Sequence, residues 1–542
     1  MKIITILFFT FFVTAVQAGV NLKNGNHYIS FTDLIVPGDG HDLEIIRTCN
    51  SKSIEKGWYG ACWGSDFETY LTMSADGSAV IHENGSGALT RFTPKGPINA
   101  KAAAEKIVTA MRKKATLDPK FAANLIKKLT NDADYRREYA KRFKVKSKLP
   151  KGAVLYSNTR GLQELHKVAE GYERKYNDGK VEFFDTNGRL SKISDKHGYK
   201  VKLTYNKAGR LEHIKDSRAK QIFFDWWDNG RIKSLWSGAD KKKAYYKYDG
   251  DNLIESIDVN GNKFVYTYDT YHNMTKIVYS DGTSMKIDYE PKTQFVSKIT
   301  NRVGHETKYK YESNPKNPTF HYWTLVTKKR GKEVGPTNRY EYEIKTRPDG
   351  SQYTYRIYTI VNNLKTETIY TECCTLPLVI KRGKNVTNFE YNKKGLLTKK
   401  TSTTGEYVEL EYHKKFNKIT KVVNKIGWTR FDYDPRGNLI KALNKQGKGV
   451  RLFYDYKGRI TKMVDNDKKE KKQRVLSFKY NILGKPVEIA MEKVGTINVA
   501  YDNYGEILKV DSKAGHKMAL QVTSAFQSLL TIVKPAGVNL NL

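Results

Sequence analysis

Apolar and polar residues alternate with a period of two along much of the chain. Lys200–Tyr205 (KVKLTY) and Lys263–Tyr268 (KFVYTY) are examples, and this is the pattern of a strand with one buried and one wet face. Such runs stop at tetrapeptides like Asn206–Gly209 (NKAG) or Asp434–Gly437 (DPRG). There Asn or Asp opens a turn and Gly supplies positive φ. A second short run follows, RLEHI at Arg210–Ile214 or RITKM at Arg459–Met463, and then a second turn such as KHG, VNG, KIG or KQG. Each unit is therefore a hairpin with two turns.

The unit recurs. Glycines 188, 209 and 230 of the turn are spaced by 21, and the turn positions 417, 437 and 458 by 20 and 21. One hairpin cannot bury its apolar face alone, so neighbours must stack. The pattern predicts a mostly β fold, a twisted ribbon or spiral of stacked antiparallel hairpins.

Helical spacing interrupts this pattern at 97–155. Ala104, Ile107, Val108 and Met111 share one face of AKAAAEKIVTAMRKKA. Asp118 and Pro119 read as N-cap and first helical residue of the next segment, and Asp132 or Asp134 caps another. Residues 101–151 hold sixteen Lys+Arg against five Asp+Glu, a local charge of +11. Residues 313–388 fit the repeat poorly, although RYEYEI and YTYRIYTIV remain strand-like. The uncharged Met518–Val533 reads as a helix or a strand pair, and folding it back to bury Leu520, Val522, Phe526, Leu529, Leu530 and Ile532 would cover an open strand edge.

The N-terminus sets the compartment. Lys2 precedes an apolar run, Ile3–Val13, too short to span a bilayer comfortably, and small residues at Val16 and Ala18 follow. This predicts a signal peptide at 1–18, cleaved between Ala18 and Gly19. No later segment has the apolar length of a transmembrane helix. A secreted, periplasmic or cell-surface location permits disulfides among Cys49, Cys62, Cys373 and Cys374. The formal charge is +38, which favours anionic surfaces such as lipopolysaccharide, acidic cell-wall polymers or extracellular DNA. The lysines are scattered over all units, however, so a soluble outer face with protected edges is the plainer reading, and specific nucleic-acid binding is not expected.

The tandem phrases YNKAGRLEHI, YDPRGNLIKA and YDYKGRITKM resemble the RHS/YD repeats of bacterial secreted and surface proteins, over roughly 184–312 and 389–515. The opening residues are similar to the domain that precedes those repeats, with Gly25, Asp33, Arg47, Asn50 and Ser51 at its motif positions and GWYGACW in place of its G-x-x-G-x-G-W. The resemblance implies repeats that wrap into a partial cocoon-like shell with a small α-helical insert. Its departures at Cys49 and Cys62 imply one disulfide, worth about 3 kcal/mol in the chain-entropy model; Cys373 and Cys374 stay open between a vicinal bridge and an intermolecular one. The organisation implied is a signal peptide at 1–18, an N-terminal β domain at 19–96, a basic helical insert at 97–155, YD repeats at 156–312, an irregular β segment at 313–388, further YD repeats at 389–515 and an apolar C-terminal segment at 516–542. Toxin-type members carry a P-x-x-G-R-F/Y-x-x-x-D-P self-cleavage phrase before a variable toxin, and no such phrase is present.

No catalytic constellation stands out. His82–Gly87 lacks metalloprotease helix spacing, Ser284 is not on a nucleophile elbow, and the aspartates of the YD phrases recur at every unit as turn caps should. The expectation is a non-enzymatic scaffold, shell or adhesin without a cofactor or metal. Its expected partners are anionic cell-surface polysaccharide or cell-wall polymer and a separately encoded cargo protein. The alternative is toxin delivery or lysis, with the activity in the helical insert or in such a cargo.

Overall fold

The computed structural model describes residues 18–38, 41–53, 55–157, 161–238, 242–373, 375–467, 472–502, 507–512 and 515–533. The expected signal peptide lies outside these apart from its last residue. Ala18 and Gly19 open the first strand, Ala18–Asn21, opposite Ile29 and Tyr28. Among the described residues, thirty-three strands from Val154–Ser157 to Ile507–Ser512 form one sheet whose spatial order is the sequence order, every neighbour antiparallel.

Each hairpin is built from two local devices. The Asn or Asp of the repeat caps its own turn: Asp195 Oδ1 accepts the N–H groups of His197 and Tyr199 at 2.8 and 2.9 Å, and Asp434 Oδ1 those of Arg436 and Asn438 at 2.9 and 2.8 Å. The preceding tyrosine reaches back one hairpin. Tyr205 donates to Leu190 O, Tyr268 to Leu253 O, Tyr289 to Met274 O, Tyr412 to Leu397 O, Tyr433 to Ile419 O, Tyr454 to Leu439 O and Tyr501 to Pro486 O, at 2.6–3.1 Å. At Trp226 the indole N–H takes over, donating to Leu211 O at 2.7 Å.

The ribbon has two cores. The first joins strands of residues 155–296 to the N-terminal domain, whose Ile29, Phe31, Ile45 and Trp63 are buried among repeat residues such as Leu235, Tyr246 and Ile277. The second lies between the strands of 408–499 and a helix. The helices are α1 (Ala100–Arg112), α2 (Pro119–Asn131), α3 (Ala133–Arg142) and α4 (Gly515–Val533). As the sequence spacing indicates, Asp118 caps α2 through Phe121 N–H; of the two candidates for α3, Asp132 is the cap, through Tyr135 N–H.

Two expectations change. Residues 313–388 continue the same ladder rather than forming an irregular segment. Their strands lengthen, to ten residues in His321–Arg330 and fourteen in Glu333–Thr346, so the 21-residue rhythm is lost while pairing persists. The C-terminal segment is α4, and it covers part of the second core with one face only. Met518, Val522, Ala525 and Leu529 are buried, but Leu520 and Leu530 remain about half exposed. Helical geometry puts these two on the opposite face, and the side chain of Ile532 lies outside the described residues.

The two repeat blocks meet at turn tips. Lys196 Nζ of the first block donates to Gly437 O of the second at 3.4 Å, beside the Lys418 Nζ that donates to the same oxygen at 2.8 Å, and Lys485 of the second block pairs with Asp42 of the N-terminal domain at 3.3 Å. The His197 ring lies so close to Gly458 that a Cβ there would come within 2.4 Å of it, at φ +80°, so only glycine serves. Burial, then the neighbouring Lys196, lowers the Lys418 ammonium to about 8, against the opposing charges of Asp178 and Asp434.

Two measurements test this construction. Tyr433→Phe should cost about 0.5–1.5 kcal/mol and Asp434→Ala about 1–3 kcal/mol, read as a lower urea midpoint at unchanged m; no shift for either would remove these devices from the energetics. At the seam, a lysine whose folded pKa is depressed makes stability rise as the unfolded chain alone keeps its proton, here from pH 8 to 10. Lys418→Met should flatten that rise in the thermal midpoint, and an unchanged pH profile would contradict the seam.

Candidate functional site

The most elaborate polar cluster is where the N-terminal domain sits inside the first repeat block. Arg47 lies on the strand Leu43–Asn50 and Asp33 on the facing strand Asn26–Val36. Arg47 Nε contacts both Asp33 carboxylate oxygens, at 2.9 and 2.8 Å, and its Nη2 donates to Ser256 Oγ at 2.7 Å and Tyr266 Oη at 2.8 Å. Tyr246 donates to Asp33 Oδ2 at 2.7 Å. The guanidinium also lies over the rings of Phe31 and Trp63, at 4.8 and 4.6 Å. All of these polar groups are buried. Burial pulls the Arg47 guanidinium down, but Asp33 and the two tyrosines more than offset it, so it stays charged; burial pushes Tyr246 well up. Its bonds run from the N-terminal domain to three repeat residues, so the cluster is a lock between domain and shell.

Cys49 and Cys62 flank this lock, joined by a disulfide with Cα atoms 4.8 Å apart. The bridge ties the Arg47 strand to the Trp63 strand, whose indole N–H donates to Tyr268 Oη at 2.9 Å. Asn50 N–H donates to Cys62 O at 2.8 Å and holds Cys62 at φ +65°. Cys373 is not a free thiol, and Cys374 lies outside the described residues. Sequence motifs singled out Asp33, Arg47, Cys49 and Cys62; they did not signal Tyr246, Ser256 or Tyr266, more than 200 residues away and typical of any repeat strand.

Between the two cores the inner face of the ladder is left open. Tyr309, Tyr311, Tyr322, Tyr340 and Tyr342 share the inward register across the strands of 306–346 and are only half-buried, with burial raising Tyr322 and Tyr342 to about 12. The outward face carries His321, Glu341 and Glu343 close enough to share an ion. Arg339 and Arg356 already neutralise those carboxylates, so the group reads as an ion-pair network. Next to the helices a cavity of 550 Å³ is lined by Arg91, Arg136, Arg347, Asp76, Asp349 and Ser157, among others.

Removing one member of the buried lock leaves the other charge uncompensated. Arg47→Met should therefore cost about 3–5 kcal/mol, and pairing it with Asp33→Leu should recover much of that loss. Thermal unfolding of the two variants measures it, and equal losses in single and double variants would refute the pairing.

Residues 17–92 match the family model described as a domain of unknown function (DUF6531), and residues 165–321 match the Teneurin YD-shell model. The tRNA nuclease WapA of Bacillus subtilis (strain 168) is 24% identical over 309 residues, covering 49% of this chain and 12% of that protein. The tRNA(Glu)-specific nuclease WapA of Bacillus subtilis subsp. natto (strain BEST195) matches to the same extent, so the chain spans about an eighth of the length of these curated relatives. Among solved structures, TcdB2-TccC3-TEV aligns with TM-score 0.39 and 9% identity over 94% of this chain and 30% of that one. TcdB2-TccC3 without its hypervariable C-terminal region aligns with TM-score 0.36 and 10% identity over 92% and 28%. The opening-domain match, the YD-shell match and a tyrosine stitch repeated from Tyr205 to Tyr501 agree: the chain is similar to RHS/YD-repeat proteins.

Proposed function

We propose that this chain is an exported, non-enzymatic scaffold that attaches to anionic polysaccharide or cell-wall polymer. One observation carries the reading. On the outward face lysines stand directly opposite one another: Lys192 faces Lys202, which faces Lys215 on the next strand, and Lys276 faces Lys286 and Lys298 faces Lys308 in later repeats. Like charges in register weaken a sheet, and a polyanion laid across the rows turns that cost into binding energy. The disulfide between Cys49 and Cys62 fits an oxidising compartment, and no helix among the described residues is long and apolar enough to cross a membrane.

A second reading has its own support. The half-open tyrosine face between the two cores is a surface on which a separately encoded polypeptide would find aromatic contacts and hydroxyl groups. A tRNA-cleaving activity like that named for the WapA relatives is the rival to both readings. The helical insert supports a strut rather than an enzyme, because Arg136 of α3 spends its guanidinium on Asp76 Oδ2 at 3.0 Å and Asp349 O at 2.8 Å.

The test is retention of the full chain on immobilised anionic polysaccharide at increasing salt. The wild type should bind with a steep salt dependence, and the triple variant Lys202→Glu, Lys215→Glu, Lys286→Glu should elute earlier with a shallower slope. Equal elution of the two would overturn the reading, as would degradation of the polymer or of tRNA by the purified chain.

A further inference from the structure

The 550 Å³ cavity lies where three parts of the molecule meet: the sheet of residues 70–92, the start of α3, and the turn Arg347–Gln352 of the long-strand segment. Gly350 O accepts the Ala133 N–H at 3.0 Å, and a Cβ on Gly350, at φ +81°, would come within 2.7 Å of the Asn131 carbonyl carbon. The junction is thus tightly built, and the space beside it is a partly open cleft. Its size lies in the range of small-molecule sites.

The lining charges are not balanced. Arg91, Arg136, Arg137 and Arg347 face Asp76, Asp134 and Asp349, so four positive groups meet three negative ones and the excess is +1. The pairs are identifiable. Arg136 bonds Asp76, Arg91 contacts Asp76 and Asp349 at 3.2 and 2.9 Å, and Arg137 bonds Asp134 at 2.7 Å. Arg347 is left over. Its Nε donates to Glu372 O at 2.7 Å, and its Nη1 to Gln352 O at 3.0 Å and Ser351 Oγ at 3.2 Å. No carboxylate among the described residues lies within ion-pair distance of it, and burial lowers its pKa. A half-buried guanidinium satisfied only by neutral oxygens is an anion receptor.

A second group points the same way. Ser157 is 5% exposed, lines the cavity, and its Oγ has no hydrogen-bond partner. Buried hydroxyls are normally satisfied. Beside it the ring of Tyr156 also lines the cavity, with Lys95 Nζ 4.9 Å from its centroid. One unpaired guanidinium, one idle hydroxyl, carboxylate edges that accept hydroxyl protons and an aromatic ring suit a singly charged, hydroxyl-rich ligand. A doubly charged phosphate would overshoot the +1 excess and face Asp76 and Asp349.

We propose that this cavity binds an acidic sugar, a uronic acid, with its carboxylate on Arg347 and a ring hydroxyl on Ser157. This deepens the anionic-polymer reading and rests on it: the lysine rows hold a polymer by charge, and the cavity selects its acidic sugar. The sugar would be presented either free or at a chain end, and the two sources are separable.

The test is titration calorimetry of the full chain with galacturonate, with a galacturonate-terminated oligosaccharide, with methyl galactoside and with acetate. Saturable binding of galacturonate or of the oligosaccharide is expected, with the tighter of the two identifying the source, and no saturable binding of the neutral glycoside or acetate. Arg347→Gln should weaken binding about tenfold or more and Ser157→Ala about threefold. Ser157→Ala removes no existing hydrogen bond, so it reports on the site even if Arg347→Gln lowers stability. Acetate binding as well as galacturonate, or galacturonate affinity unchanged in both variants, would overturn the proposal. So would the absence of saturable binding of both acidic sugars by the folded wild type. Retention on anionic polysaccharide that survives such a result would leave the lysine-row reading standing and remove only the cavity.

Discussion

The shell depends on a hydrogen bond between hairpins that are adjacent in space and about fifteen residues apart in sequence. The tyrosine hydroxyl of one repeat donates to the main-chain oxygen of the apolar residue that begins the second strand of the repeat before it, as with Tyr268 and Leu253 O or Tyr454 and Leu439 O. Antiparallel pairing alone would tolerate slippage of one hairpin on the next; a bond from a fixed side-chain length to a fixed carbonyl does not. The ring fills the inner face while its hydroxyl satisfies a main-chain acceptor, so one residue type supplies apolar area and polar closure together. Trp226 shows that the requirement is a ring with a donor at its rim, since its indole N–H reaches Leu211 O in the same way.

The interior is filled from both ends of the sequence and left open in the middle. The N-terminal domain occupies the first block through the Arg47–Asp33 pair and the aromatic residues around it, and α4 occupies part of the second through Met518, Val522, Ala525 and Leu529. The long strands between them belong to neither core, which is why Tyr322 and Tyr342 stay half-buried there. Charge follows the same division: the buried ion pair of the lock is held by hydrogen bonds from Arg47 Nε and Nη2 and from Tyr246, while the lysine rows remain outside where water screens them.

Much of this was legible locally. Alternation and Asx-Gly turns in Asn206–Gly209 and Asp434–Gly437 specified the hairpins, and Asp118-Pro119 marked the start of α2. The turn-capping role of the YD aspartates followed from their recurrence. What stayed hidden involves partners far apart in sequence. Nothing near Tyr433 reveals that its hydroxyl finds Ile419 O, nothing near Ser256 or Tyr266 shows that Arg47 lies between them, and the cavity joins Arg91, Ser157 and Arg347 from three segments. Residues 313–388 were obscured for a different reason, because longer strands change the repeat length while leaving the pairing intact. The position of α4 was decided by which of its faces meets the core, so Leu520 stays exposed despite being as apolar as Leu529.

The strict agreement of spatial and sequence order has a consequence for how the molecule is made. A strand of this ladder needs only the strand just synthesised before it, so the chain can wind up progressively, never waiting for a distant segment to arrive. The element that fills the first turn of the winding also precedes the repeats in the chain. The N-terminal domain is thus available as a mandrel, and the repeats are laid around it in the order in which they leave the ribosome or cross a membrane. A shell assembled in this way takes its inner shape from the domain already in place as each new strand is added.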